Sequence, residues 1–134
     1  MKTIEFNFGE GTVQRYTMGR CWELALALAD QLGWRAAWLR YHAFAVSPCG
    51  DWAVDVTGVR PLTELRERWD APVKGLTPAT LKVSESLESA TEHLSTWGGW
   101  NEYDEDDPTL GASEVAQRVE ALIRRETGND WGLP

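Results

Sequence analysis

Cysteine is scarce in this chain, with only Cys21 and Cys49 among 134 residues. The two could pair with each other, but in a reducing compartment thiols are usually kept free. Cationic side chains are also few: 13 Lys and Arg stand against 21 Asp and Glu, a net charge of −8. Nucleic-acid affinity comes mainly from Lys and Arg neutralising phosphate, so direct nucleic-acid binding is not expected. An acidic balance suits solubility or a basic protein partner. No apolar run approaches the roughly 20 residues that span a bilayer, and MKTIEFNFGEG is too polar for a secretory leader. The expectation is a cytoplasmic protein without a membrane segment. Internal repeats and long low-complexity linkers are missing as well.

The side chains that are present fit one core. At 43% hydrophobic residues, a chain of this length buries about two-thirds of its unfolded surface, so a single domain over 1–134 is expected. Eight tryptophans bring large apolar area, and each indole N–H wants a partner when buried. Core packing is their first reading. Trp22, Trp38, Trp52, Trp97 and Trp100 would equally wall a cleft.

Alternation predicts a strand over Thr3–Phe8, with Ile4, Phe6 and Phe8 on one face. Gly9-Glu10-Gly11 reads as a turn and Thr12–Thr17 as the returning strand of a hairpin. Arg20–Leu32 reads as a helix apolar on nearly every side, which must be buried all round, with Gly33 as its stop. Arg35–Ser47 and Asp51–Thr57 read as two strands joined at Ser47-Pro48-Cys49-Gly50, whose Ser, Pro and Gly are type I turn signals.

After Gly58 the pattern turns helical. Pro61 opens a short helix to about Trp69, and Pro72, Gly75 and Pro78 punctuate a loop. A short strand is expected at Thr80–Val83. Ser84 would cap a helix to about Thr96 with Leu87, Ala90 and Leu94 inward. Trp97-Gly98-Gly99-Trp100 is a turn, and the carboxylates of Glu102–Asp107 form a solvated loop without the spaced ligands of an EF-hand. A last helix runs from Ala112 to near Gly128, capped by Asp107 or Thr109.

The chemistry concentrates in one stretch. Cys21 falls in the first turn of the apolar helix, where unpaired N–H groups and the helix dipole favour a thiolate and would receive an oxyanion. With Pro48 and Cys49 at the hairpin tip, Val46 faces Asp51, Phe44 faces Ala53 and His42 faces Asp55. Facing positions have Cβ atoms about 4.5–5.5 Å apart, within reach of a carboxylate–imidazole contact. An aspartate so placed fixes the tautomer of the histidine and stabilises the imidazolium. Asp is depleted in half-buried strands such as Ala53–Thr57, so Asp55 needs such a partner. His93 reads as a surface histidine. A zinc site from Cys21, His42, Cys49 and His93 matches no paired ligand spacing, and neither metal nor cofactor is expected.

Cys on a helix, His on the next strand and Asp on the one after resemble the core of papain-like and transglutaminase-like thiol enzymes. GRCWELALAL, YHAFAV and CGDWAVDVTGVRPLTEL further resemble small bacterial and phage proteins with Gly-x-Cys, His and Asp-x-x-Gly segments, over roughly Met18 to Trp69. The resemblance implies an α+β fold whose buried helix, bearing Cys21 at its N-terminus, packs on an antiparallel sheet with further helices C-terminal to it. It implies Cys21 as nucleophile, His42 as general base and acid, and Asp55 as the orienting carboxylate. Papain-like enzymes set a Gln or Asn shortly before the cysteine in the oxyanion hole, and Gln14 is the nearest candidate. Trp22 and Trp52 are candidates for the substrate side. The function expected is a cysteine-dependent hydrolase or deamidase acting on a protein amide through a thioester. The alternative is a non-catalytic acidic protein that binds or inhibits a basic protein.

Overall fold

In the computed structural model, residues 2–17, 19–69, 80–97 and 110–128 are described. The loop at Pro72–Pro78, the Trp97–Trp100 turn beyond its first residue, the acidic block and the caps proposed at Asp107 and Thr109 lie outside them. The described chain is α+β. Its six strands form one antiparallel sheet in the order β1-β5-β4-β3-β2-β6. They are β1 (Ile4–Glu5), β2 (Arg35–Leu39), β3 (His42–Val46), β4 (Trp52–Asp55), β5 (Gly58–Pro61) and β6 (Lys82–Val83). The helices are α1 (Glu10–Thr17), α2 (Cys21–Leu32), α3 (Leu62–Trp69), α4 (Leu87–Leu94) and α5 (Ala112–Thr127).

Helix α2 packs at the middle of the helical layer but is not buried all round as expected: Leu24, Ala25, Leu28, Ala29 and Leu32 are buried, whereas Glu23, Leu26, Ala27 and Gln31 are half-buried and Asp30 is exposed. It packs on the sheet through β2, β3 and β4 and is flanked by α1, α4 and α5. Gly33, at φ +70°, ends it in the left-handed conformation. Successive strand residues face opposite sides, and both sides are covered. Ala45, Val54 and Val59 join Leu24, Leu28 and Val119 on the α2 side, while Ala37, Phe44, Val46 and Ala53 join Leu65 of α3 on the other. All five residues of β3 are therefore buried.

The N-terminal hairpin does not form. The strand expected over Thr3–Phe8 is confined to Ile4–Glu5, which pairs with β5, and Thr12–Thr17 lies within α1. Thr12 and Tyr16 share a face in a strand and in a helix alike, so their spacing did not discriminate. Tertiary contacts decide: the Tyr16 hydroxyl donates to the Leu110 carbonyl at 2.8 Å, and Thr12 Oγ1 accepts from the Leu110 N–H at 3.3 Å.

Arg35–Ser47 is two strands rather than one. A two-residue turn at Arg40-Tyr41 joins Leu39 to its partner His42. Arg40 sits at φ +54°, a conformation usually signalled by Gly or Asn, and neither residue gives that signal. Likewise Pro61 closes β5 rather than opening a helix, which starts at Leu62. Ser86, not Ser84, caps α4 through a reciprocal hydrogen-bond box with Ser89. Ser84 is buried and donates to the Ala36 carbonyl at 2.7 Å. Leu87 is exposed, whereas Ala90 and Leu94 are buried as expected. Gly111 precedes α5, and Gly128 ends it at φ +64°.

The β3–β4 hairpin turns at Ser47–Gly50, where the Gly50 N–H donates to the Ser47 carbonyl at 2.9 Å. Its register differs from the expected one by two residues, with Val46 facing Ala53 and Ala45 facing Val54. Gly50 takes φ +83°, and the loop extends through Asp51 before pairing begins. A shift of two preserves the faces, because side chains alternate with a period of two. His42 and Asp55 thus stay on one side, related by a diagonal rather than a direct step.

Candidate functional site

His42 opens β3 and Asp55 closes β4 on the sheet face covered by α3. The diagonal still brings them together: His42 Nε2 lies 2.9 Å from Asp55 Oδ2, with both side chains buried. Asp55 is anchored by the turn that follows it. Asp55 and Gly58 face each other across a two-residue connection, and Asp55 Oδ1 accepts from the Thr57 N–H at 2.8 Å and the Thr57 hydroxyl at 2.5 Å. Thr57 Oγ1 in turn accepts from Arg60 Nη2 at 3.1 Å. Gly58 is required where it stands. At φ +153° a Cβ there would lie 2.2 Å from the Ile4 carbonyl oxygen, so only glycine lets β1 approach.

Cys21 arrives from the opposite face. It begins α2, in the cluster of Ala25, Ala36 and Ala43, yet its thiol sits at the edge of β3. Sγ accepts from the Ala43 N–H and donates to the Tyr41 carbonyl, each at 3.4 Å. These two backbone groups flank His42. The paired positions of β3 and β4 are Ala45–Val54 and Val46–Ala53, so at Ala43 the thiol stands where a strand partner would otherwise serve. The thiol and the imidazole–carboxylate pair thus meet at one point of the sheet, with Cys21 3% and His42 1% exposed.

Burial opposes charge on the imidazole. The hydrogen bond to Asp55, the neighbouring Cys21 thiol and the negative charge of Asp55 outweigh it, raising the His42 pKa above its ordinary 6.5. For Asp55, burial acts against ionisation but is outweighed by the hydrogen bond and charge of His42 and by both donors of Thr57. Its carboxyl is held below the ordinary 3.8. Nδ1 of His42 is buried without a hydrogen-bond partner. The Cys21 thiol is near enough to favour the imidazolium, although no hydrogen bond closes onto Nδ1 in this conformation.

The indole of Trp69, the last residue of α3, lies flat on the imidazole at 3.9 Å between ring centres and 11° between planes. An aromatic face so placed favours a cation by its quadrupole and fixes the ring plane. Phe44 lies 5.7 Å from the imidazole along the same strand. Thr57, Arg60 and Trp69 were not singled out in the sequence. Asp-x-x-Gly was the available signal for Thr57, whereas Arg60 and Trp69 reach the pair only through β5 and the packing of α3.

Other candidates separate from this point. Gln14 is on the exposed side of α1, and no hydrogen bond joins it to Cys21, His42 or Asp55. Trp22, half-buried, packs on the cluster containing Cys21 together with Trp38 and Trp97. Its indole N–H is buried without a partner. Trp52, also half-buried, packs instead against the Tyr16 and Leu24 cluster. Cys49 is exposed at the hairpin turn, where its sulfur lies 3.3 Å from Ser47 Oγ. His93 is exposed on α4 and stacks on Trp38 at 4.3 Å. Among the described residues no group of three or more His, Cys, Asp or Glu side chains could hold a metal, and no helix is long and apolar enough to cross a membrane.

Compared with known proteins, the chain matches no family model, no curated protein and no solved structure.

Proposed function

We propose that this chain is a cysteine-dependent hydrolase or deamidase with a papain-like or transglutaminase-like core, acting on a protein amide. The observation that carries the proposal is the buried His42–Asp55 pair at 2.9 Å, with the helix-terminal thiol of Cys21 beside the imidazole. Asp55 accepts a hydrogen bond from Nε2–H, leaving Nδ1 as the base that takes the Cys21 proton. The thiolate attacks the amide carbonyl, and the oxyanion is received by the N–H groups of Cys21 and Trp22, because those of Arg20, Glu23 and Leu24 already donate to the Arg15 and Arg20 carbonyls. His42 then protonates the leaving amine or ammonia as the C–N bond breaks, and a thioester remains. Water, giving its proton to His42, attacks the thioester and releases the acid; the thiol regains its proton. No cofactor enters these steps. The partner class is a protein substrate, and the cytoplasm is the setting.

Burial of the thiol favours a second reading, in which Cys21 only satisfies the edge of β3 and the acidic chain binds or inhibits a basic protein, as small bacterial and phage proteins would. Alkylation of Cys21 by iodoacetamide separates the two when the rate at pH 6.5 is divided by that at pH 8.5, because restricted access scales both rates alike and desolvation of a thiol only deepens the loss. An ordinary thiol, with a pKa near 8.5, loses about fiftyfold over this interval through its thiolate fraction. On this proposal the wild type loses far less than His42→Ala, which is expected to lose about fiftyfold or more. A fiftyfold loss in the wild type itself would remove the nucleophile and leave the binding protein.

A further inference from the structure

A buried arginine stands behind the aspartate. Arg60 is 6% exposed, and among the described residues its guanidinium meets Thr57 Oγ1 at 3.1 Å and Glu64 at 3.8 Å, while its Nε has no partner. Burying a guanidinium with so few acceptors is costly, which calls for a role beyond packing.

We propose that Arg60 and Thr57 are positioning residues, which fix the neutral tautomer of His42 through a one-way chain of hydrogen bonds and so set Nδ1 as the base facing Cys21. The inference rests on the thiol-enzyme reading for its purpose, but its geometry stands apart from that reading.

The direction of the chain follows from donor and acceptor chemistry. Arginine has donors only, so Arg60 Nη2 must give its hydrogen to Thr57 Oγ1. The threonine hydroxyl has one hydrogen, and with its oxygen already accepting from Arg60, that hydrogen goes to Asp55 Oδ1 at 2.5 Å. The Thr57 N–H occupies the same carboxylate oxygen at 2.8 Å. Asp55, ionised and acceptor-only, offers Oδ2 to His42, whose Nε2 must then carry the hydrogen. The lone pair of the neutral ring is left on Nδ1, the nitrogen without a partner. The chain acts by position: Arg60 holds Thr57, and Thr57 holds Asp55 Oδ1 so that Oδ2 is turned to Nε2.

The groups bearing on the charge of His42 are Asp55 from β4 and Cys21 from α2, with Trp69 of α3 against the ring face. Farther along the chain, Glu64 of α3 faces Arg60. Reversing the Thr57 or the His42 link would require a protonated Asp55, which the two Thr57 donors and the charge of His42 oppose. The hydroxyl of Thr57 is therefore the step at which the chain can be cut.

Nitrogen-15 NMR of the imidazole in the full chain reads both tautomer and titration midpoint, and His93→Gln assigns the signals because the chain has two histidines. In the wild type, neutral His42 is expected to carry its hydrogen on Nε2. Thr57→Val should mix the tautomers and lower the midpoint by about one pH unit, a tenfold change in protonation equilibrium. Arg60→Met should mix the tautomers likewise, while the loss of its positive charge acts to raise the midpoint, and Thr57→Ser should restore both readouts of Thr57→Val. If Thr57→Val does not fold, Arg60→Met and Thr57→Ser carry the comparison. Folded Thr57→Val protein with the wild-type midpoint and tautomer, or folded Arg60→Met protein with the wild-type tautomer, would overturn the proposal. If His42 responds as described but the Cys21 alkylation ratio is that of an ordinary thiol, the chain of hydrogen bonds stands and the hydrolase reading falls. An activated Cys21 with an unresponsive His42 would overturn the chain of hydrogen bonds and leave the hydrolase reading in place.

Discussion

Asp55→Ala should destabilise the fold by about 3–5 kcal/mol near pH 6, the usual cost of removing one partner from a buried ion pair. The substitution leaves buried His42 Nε2 and the half-buried Thr57 N–H and hydroxyl without their common acceptor. Urea unfolding of wild type and variant between pH 3 and pH 9 measures the difference and its pH dependence. The Asp55 carboxyl is depressed below 3.8 in the folded chain, so its contribution is complete above 3.8 and is lost as pH falls through the folded value. The His42 imidazole is raised above 6.5, so its contribution is complete below 6.5 and is lost as pH rises through the folded value. The stability gap should therefore be widest between these two limits and narrow on both sides. A gap that stays constant across the range would mean that the pair is a neutral hydrogen bond, without the charge that primes a thiol.

Gly58→Ala is expected to cost about 3 kcal/mol and to lower the thermal midpoint by about 10 °C in calorimetry. Two effects act together there. The backbone angle of +153° is one that a side chain rarely adopts, and the added Cβ would meet the Ile4 carbonyl oxygen at 2.2 Å and the Glu5 Cα at 3.2 Å. Backbone atoms cannot move aside as a side-chain tip does, so β1 must detach or the Asp55–Gly58 turn must open. Gly50→Ala isolates the conformational part, because Gly50 has φ +83° but a Cβ added there would meet nothing within 4 Å. It should cost only about 1–2 kcal/mol. Equal losses in the two variants would show that the approach of β1 does not determine the requirement at Gly58. If Gly58→Ala opens the turn, the His42 signal should also lose its Nε2 tautomer, since Thr57 and Asp55 are held by that connection.

The candidate site was unevenly legible in the chain. His42 and Asp55 share a face because their strands alternate and any even register keeps them together, which is why a hairpin expected two residues out of step still united them. Cys21 was placed correctly at the start of α2, since the apolar run it opens continues to Leu32 and stops at Gly33. Its route to His42, by the edge of β3 rather than across a face, depends on how far β4 extends. Thr57 was within sight, one residue before the Gly58 of Asp-x-x-Gly. Arg60 was not, because the segment holding it was expected to lead into a helix, and only the pairing of β5 with β4 turns its side chain toward the turn.

Periodicity and local stop signals by themselves determined the central helix, the last helix, the β3–β4 hairpin and the common face of the histidine and aspartate. Those features answer to neighbours within a few residues, so the chain specifies them before anything else has folded. Tertiary structure decided the rest. Thr12–Thr17 became helical through the contacts of Thr12 and Tyr16 with Leu110, 98 and 94 residues away in sequence. Gly58–Pro61 became a strand because β1 and β4 offered it edges on both sides. Donor-only arginine, single-proton threonine and acceptor-only carboxylate fall into line only once the pairing of β4 with β5 has brought them together, and that order is what gives the site its direction.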